Sequence, residues 1–171
     1  DMQQQDTYFV VAHFHYVLIG GALFGLFCGF YFWLPKMTGR MLNEKMGKVV
    51  FTLMFIGFNT TFFPMHYLGM IGQPRRTHSY NAGHGFEQWN QIATIGAFIL
   101  GTGILLGVIQ FMRSFKDKSL KPAGKNPWDA RSLEWTLSSP VKEHNFARTP
   151  IIKARDQAWE NNYGPRDLHS E

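Results

Sequence analysis

The stretch that decides the fold is residues 7–35, TYFVVAHFHYVLIGGALFGLFCGFYFWLP, which holds no Asp, Glu, Lys or Arg. A helix needs roughly 20 mainly apolar residues to cross the hydrocarbon core of a bilayer. A lipid-exposed chain must also satisfy its backbone groups internally. Working outward, 49–74 and 88–112 are free of the same four residues. Three transmembrane helices are expected, near Thr7–Leu34, Lys48–Met70 and Gln88–Phe115. The rest of the composition agrees. The 171 residues are 45% hydrophobic and 16% aromatic, too apolar for a disordered chain. The very uneven spread of charge excludes a soluble single domain. A mean hydropathy of -0.16 averages an apolar first two-thirds with a polar tail.

Cys28, within the first apolar run, is the single cysteine, which excludes an internal disulfide or a cysteine-based metal cluster. The opening Asp1-Met2-Gln3-Gln4-Gln5 has no basic n-region, so it does not read as a secretory signal. The tail of a longer polypeptide, a processed product and one half of a split subunit are the readings open for the chain as a whole.

Charge sets the expected topology. The loop from Pro35 to Gly47 carries Lys36, Arg40 and Lys45 against Glu44, and Arg113, Lys116, Lys118, Lys121 and Lys125 lie at or beyond the end of the third run. The positive-inside rule places both on the cytoplasmic or matrix side. The N-terminus and the loop between helices two and three then face outward, with Trp33 and Trp89 at the interfaces. Gly21, Gly25 and Gly29 form a stripe that lets another helix approach closely. Three helices have few ways to cover it, so a larger bundle is implied. Pro64 removes a hydrogen bond inside the second helix and is expected to kink it. The domain reading is a transmembrane region over 1–115 and a cytoplasmic or matrix-side tail over 116–171. Trp128, Trp135, Phe146, Trp159 and Tyr163 suggest a tail extended along a protein surface rather than free in solvent.

The chemistry centres on Asp6-Thr7-Tyr8-Phe9-Val10-Val11-Ala12-His13-Phe14-His15-Tyr16. Ionisable residues inside a membrane helix point to function by default. Residues two apart on a helix are separated by about 200°, so His13 and His15 cannot share one metal ion. One helix between two prosthetic groups, each bound by one histidine, is the economical reading. Two histidines hydrogen-bonded to neighbouring helices is the other.

The run DTYFVVAHFHYV resembles the tenth transmembrane helix of subunit I of the haem–copper terminal oxidases. NTTFFPMHYLGMIGQPRR resembles the eleventh helix and the loop after it, and the third apolar run takes the place of the twelfth. The tail's NPWDARSLEW, SSP and HNF resemble the C-terminal extension of bacterial cytochrome c oxidases. The resemblance covers essentially the whole chain. It implies an all-α integral membrane fold, with these three helices forming part of a twelve-helix bundle and an extended polar C-terminal tail.

The resemblance also implies residue roles. His13 would be the catalytic, proximal ligand of the high-spin haem that faces copper B, and His15 an axial ligand of the low-spin haem. Phe14 would lie between the haems, and Arg75 and Arg76 would pair with haem propionates. Tyr8 and Thr7, near the presumed haem edge, are suited to holding water or a propionate or to ordinary interfacial packing. Asp6 resembles a ligand of a magnesium or manganese ion. The family motif usually has His before that Asp, whereas Gln5 stands here and offers a carbonyl oxygen that a hard cation accepts. Depth is consistent with these roles. Seven residues from Asp6 to His13 rise about 10 Å, which puts both histidines in the outer half of the membrane. Arg75 and Arg76 lie on that same side against the positive-inside bias; anionic propionates account for them, with lipid phosphate at the interface as the other reading.

The implied activity is that of a proton-pumping cytochrome c oxidase that reduces oxygen to water. Its cofactors would be two haems, a-type by resemblance, with copper B held by residues outside this chain and a possible Mg or Mn ion. The implied partners are the segment or chain carrying the first nine helices, the copper-containing subunit II, other oxidase subunits, cytochrome c and the lipid bilayer. The tail points to a bacterial plasma membrane rather than a mitochondrial one. A quinol oxidase of the same superfamily, or a non-catalytic assembly subunit without haem, are the alternatives. Nothing resembles a phosphate-binding loop, a nucleophile–base pair or a nucleic-acid surface.

Weaker signals complete the reading. Phe51, Phe55, Phe58 and Phe62 form a stripe suited to packing, lipid contact or a porphyrin wall. His66 is expected to be a hydrogen-bonded structural histidine, and Asn59 to bond to backbone or to another helix. His78 and His84 read as solvated, and Glu87 as a helix cap.

Overall fold

The computed structural model describes residues 2–146, 148–153 and 155–157. It is helical. A first span, Tyr8–Thr38, comprises α1 (Tyr8–His15), a π-helical segment (Tyr16–Leu23) and α2 (Phe24–Thr38). Then follow α3 (Glu44–Met70), α4 (Glu87–Lys116) and a 3-10 turn, Leu133–Thr136. All three spans are long and apolar enough to cross a membrane.

The boundaries show what the apolar runs alone leave undetermined. α3 begins at Glu44 rather than Lys48, because the Asn43 side chain accepts a hydrogen bond from Met46 N at 3.0 Å and caps the helix earlier. The first span runs past Pro35 to Thr38, and the Thr38 hydroxyl donates back to Leu34 O at 2.9 Å. α3 continues through Pro64. The π-helical segment is not expected from sequence periodicity. Phe24 N donates to Ile19 O, the wider bond that defines it.

The chain divides into two compact units, Asp1–Phe30 with Asn43–Arg113, and Tyr31–Leu42 with Ser114–Glu171. The core of the first is Val50, Met54, Phe58, Phe62 and Leu100, with Tyr16, Ile19, Leu23, Phe24 and Phe27 packed on it. Glycine makes its tightest contacts possible. A Cβ at Gly57 would overlap the Leu100 backbone, and one at Gly96 would lie 2.7 Å from the Thr60 carbonyl carbon. Helices in lipid gain by such close backbone approach. The phenylalanine stripe divides: Phe58 and Phe62 are buried, while Phe51 and Phe55 are more than half exposed.

In the second unit, described residues of the tail pack at Trp128 and Trp135 on residues 31–42. Trp135 is 2% exposed, and its ring meets Phe32 edge-on at 5.0 Å. Lys36, read from sequence as a topology-setting charge, is 4% exposed. Its ammonium donates to Lys125 O at 2.7 Å and Leu137 O at 2.8 Å and stands 4.9 Å over the Trp135 ring. Trp128 donates from Nε1 to Phe32 O at 2.9 Å. Phe146 is half-buried, and Trp159 and Tyr163 lie outside the described residues.

Candidate functional site

The start of α1 is fastened to the loop that follows α3. Thr7 caps α1, its hydroxyl accepting from Phe9 N at 3.3 Å and donating to Gln4 O at 2.7 Å. Beside it, Tyr8 N donates to Gln73 O at 3.0 Å and Arg75 N donates to Asp6 O at 2.9 Å, a short antiparallel pairing across Thr7 and Pro74. Further along, Gly69 lies so close to Phe9 that a Cβ there would overlap the Phe9 backbone. Histidine helix and arginine loop are therefore joined by backbone hydrogen bonds and close packing. Asp6 (φ 59°) and Arg76 (φ 63°) flank the pairing in the left-handed region, which non-glycine residues adopt at a cost.

The two histidines meet different surroundings. His13 is exposed. His15 is half-buried, and its ring stacks on Phe62 of α3 at 4.3 Å. Its Nδ1 lies 2.7 Å from Val11 O. A carbonyl only accepts, so Nδ1 donates this bond, and in the neutral ring the free lone pair is then on Nε2. That is the tautomer of a histidine that ligates iron through Nε2, with its second nitrogen held by backbone. Phe14, between them, is exposed, its ring 4.5 Å from that of His15. Tyr8 is half-buried.

Arg75 and Arg76 differ. Arg75 pairs with Asp6 through Nη2, and its Nε is buried without an acceptor. A guanidinium with a spare buried N–H fits a further carboxylate such as a haem propionate. Arg76 is exposed. Gln5 and Asp6 are exposed as well. They offer two oxygen-bearing side chains, which a Mg or Mn ion would have to supplement with water or further ligands, and Asp6 is already paired with Arg75. No cluster of three or more His, Cys, Asp or Glu suited to a metal occurs among the described residues, so other ligands would have to come from elsewhere.

Several contributors were not legible as such. Phe62 was one of a stripe, and the stack on His15 singles it out. Tyr16 had no assigned role, yet its hydroxyl donates to Asn59 Oδ1 at 2.9 Å. Asn59 also donates to Phe55 O at 2.9 Å, so it bonds both to backbone and to another helix. His66 departs from expectation. Its Nδ1 is buried with no hydrogen-bond partner, and aromatic rings surround it instead, Phe9 at 5.0 Å and Tyr16 at 5.3 Å. Its polar demand is unmet within a helix pair built from aromatic side chains. Glu87 is the first residue of α4 and accepts from Gly83 N at 3.0 Å, fastening the preceding loop. His84 stacks on Phe86 at 5.7 Å, and His78 is exposed.

Residues 1–99 match the family model described as cytochrome c and quinol oxidase polypeptide I. Cytochrome c oxidase subunit 1 of Bacillus subtilis is 48% identical over 161 residues, covering 93% of this chain and 25% of that protein. The subunit of the same name from Thermostichus vulcanus is 49% identical over 152 residues, covering 89% of this chain and 27% of the relative. Quinol oxidase subunit 1 of Bacillus spizizenii is 45% identical over 157 residues, covering 91% and 24%. The chain thus spans about a quarter of the length of these relatives. With three membrane-spanning helices and matches of this extent, the chain is an integral membrane protein and belongs to the cytochrome c and quinol oxidase polypeptide I family.

Proposed function

We propose that this chain is the haem-ligating part of a proton-pumping terminal oxidase that reduces oxygen to water. Two features of α1 carry the reading: His15, with Nδ1 committed to Val11 O, and His13, exposed two residues away. His15 serves as an axial ligand of the low-spin haem and His13 as the proximal ligand of the high-spin haem beside copper B. When bound, haem iron supplies the redox chemistry. The chain's own residues do the rest. The Val11 carbonyl holds the His15 tautomer, and the Phe62 ring fixes its plane. Phe14 fills the space between the two ligands. Arg75, with its buried spare N–H, and Arg76 hold propionate charge. Tyr8 lies near a haem edge.

The haems are a-type and the donor is cytochrome c in this reading, with a bacterial plasma membrane as its place. The Bacillus and Thermostichus relatives named cytochrome c oxidase subunit 1 support the donor and the bacterial setting. A quinol donor is the second reading, favoured by relatives of similar identity named quinol oxidase subunit 1. The partners are the first nine helices of subunit I, a copper-containing subunit II and other oxidase subunits. Exposed Val17, Leu18 and Leu26 on the first span, and the open space beside Gly21 and Gly25, support such a surrounding bundle. A Mg or Mn ion at Asp6 and Gln5 belongs to this reading only with ligands from those partners.

The test is a reduced-minus-oxidised absorption spectrum of the native complex, with and without carbon monoxide. Two haems, one of them shifted by carbon monoxide, support the reading, and the band positions identify the haem type. A complex without haem absorbance overturns it.

A further inference from the structure

The pairing that joins residues 6–8 to residues 73–75 brings one carboxylate and one guanidinium together on a doubly bonded backbone. Arg75 N donates to Asp6 O at 2.9 Å, and Tyr8 N to Gln73 O at 3.0 Å. Across this ladder the Arg75 side chain reaches back to the Asp6 carboxylate through Nη2. In this chain the Asp6 side chain is 63% exposed and that of Arg75 29%. A pair so exposed contributes little to stability, and the backbone bonds already hold the two segments together. What the pair does fix is direction. An arginine side chain has many rotamers, and a carboxylate bound at Nη2 removes most of them. The neighbouring Nε is buried and has no acceptor. The Arg75 guanidinium is thus paired at Nη2 and keeps a buried Nε donor with no acceptor.

We propose that Asp6 is a positioning residue. It holds the Arg75 guanidinium so that its remaining donor meets the carboxylate of a haem propionate, and through Arg75 it sets the electrostatic surroundings of the haem bound by His15. The proposal rests on the haem-ligation reading above. It gives Asp6 a task that needs no Mg or Mn ion. It also accounts for the left-handed backbone at Asp6 (φ 59°), which is kept where the chain must present this carboxylate to the opposite strand of the pairing.

The test uses the complete oxidase complex carrying Asp6→Asn, Asp6→Glu, Arg75→Gln or Arg75→Lys, and Asp6→Asn combined with each arginine variant. Haem content, the reduction midpoint of the low-spin haem and bound Mg and Mn are measured in each. Asp6→Asn is expected to keep both haems and to lower the midpoint, because the released Arg75 guanidinium no longer holds its positive charge at the propionate. Asp6→Glu is expected to restore most of the wild-type value. With Arg75 already replaced, Asp6→Asn is expected to add no further shift.

An unchanged midpoint in Asp6→Asn would overturn the proposal. So would a full Asp6→Asn shift that persists without Arg75, since the carboxylate would then act directly. A shift reproduced in the wild type by stripping Mg or Mn would assign it to the metal and overturn the proposal too. Wild-type haem with an unmoved midpoint removes only the role of Asp6, whereas a wild-type complex without haem removes the ligation reading with it.

Discussion

The His15 imidazole lies flat on the Phe62 ring, centroids 4.3 Å apart and planes 13° from parallel. With Nδ1 tied to Val11 O on its own helix, the ring is held on two sides by two different helices. Replacing Phe62 with Leu keeps bulk but removes the stack. The expected outcome is retained haem with a shifted or broadened low-spin absorption band, read in the reduced spectrum. Phe62→Ala also opens a cavity at a buried site, and core truncations of this kind cost about 3–5 kcal/mol. A lowered melting temperature of the complex checks that.

Gly69 and Gly57 set the approach of α3 to α1 and to α4. Gly69→Val places branched carbon against the Phe9 backbone and must push the histidine helix away. Overpacking costs about 1–3 kcal/mol or more. Loss of assembled complex, measured by detergent-gel or thermal-melt analysis, is expected for Gly69→Val and Gly57→Val. Gly21→Ala, where nothing lies within 4 Å in this chain, should leave the α1–α3 contact unchanged. Any loss it causes reports a helix supplied by the rest of the bundle.

Lys36 ties two tail carbonyls and an indole face to residues 31–42. Lys36→Met keeps the length of the side chain and deletes the donors. A fully buried carbonyl left unpaired costs about 1–3 kcal/mol, and the cost here is smaller because Lys125 is exposed and Leu137 half-buried. Faster limited proteolysis around Lys125–Leu137, with haem spectra unaltered, is the expected result.

Glu134 gives this tail a pH dependence. Burial works against its charged form, but hydrogen bonds from Ser132, its own backbone and Trp33, with the Lys36 charge, outweigh it and hold the carboxyl below its ordinary value of 4.5. The Ser132 bond is 2.8 Å long and the Trp33 bond 3.2 Å. A carboxyl depressed in the folded state stabilises above its unfolded value, and the contribution disappears as pH falls through the folded value. Protease resistance of the tail should therefore fall below about pH 4.5, and Glu134→Gln should flatten that part of the profile. A profile unchanged by the substitution would remove Glu134 from the account.

Much of this was legible because charge in a membrane helix is so strongly disfavoured. Three charge-free runs become the three spans Tyr8–Thr38, Glu44–Met70 and Glu87–Lys116. Local capping was less visible, so Asn43 moved the start of α3 and the first span outran Pro35. The π-helical turn after His15 was hidden, since an apolar sequence has little polar pattern to betray a change of period. Contacts between distant residues were also hidden. Nothing in the sequence joins Asp6 to Arg75, Tyr16 to Asn59 or Lys36 to Trp135; the fold does. His66 shows the reverse case, where a polar residue invited a hydrogen bond and aromatic packing supplied none.

The most direct test of the central claim is the carbon monoxide difference spectrum of the assembled oxidase carrying His13→Ala or His15→Ala singly. Loss of the carbon-monoxide-responsive haem in the first, with low-spin absorbance retained, and the reverse loss in the second, is the expected result. Both haems intact in both variants would contradict the account.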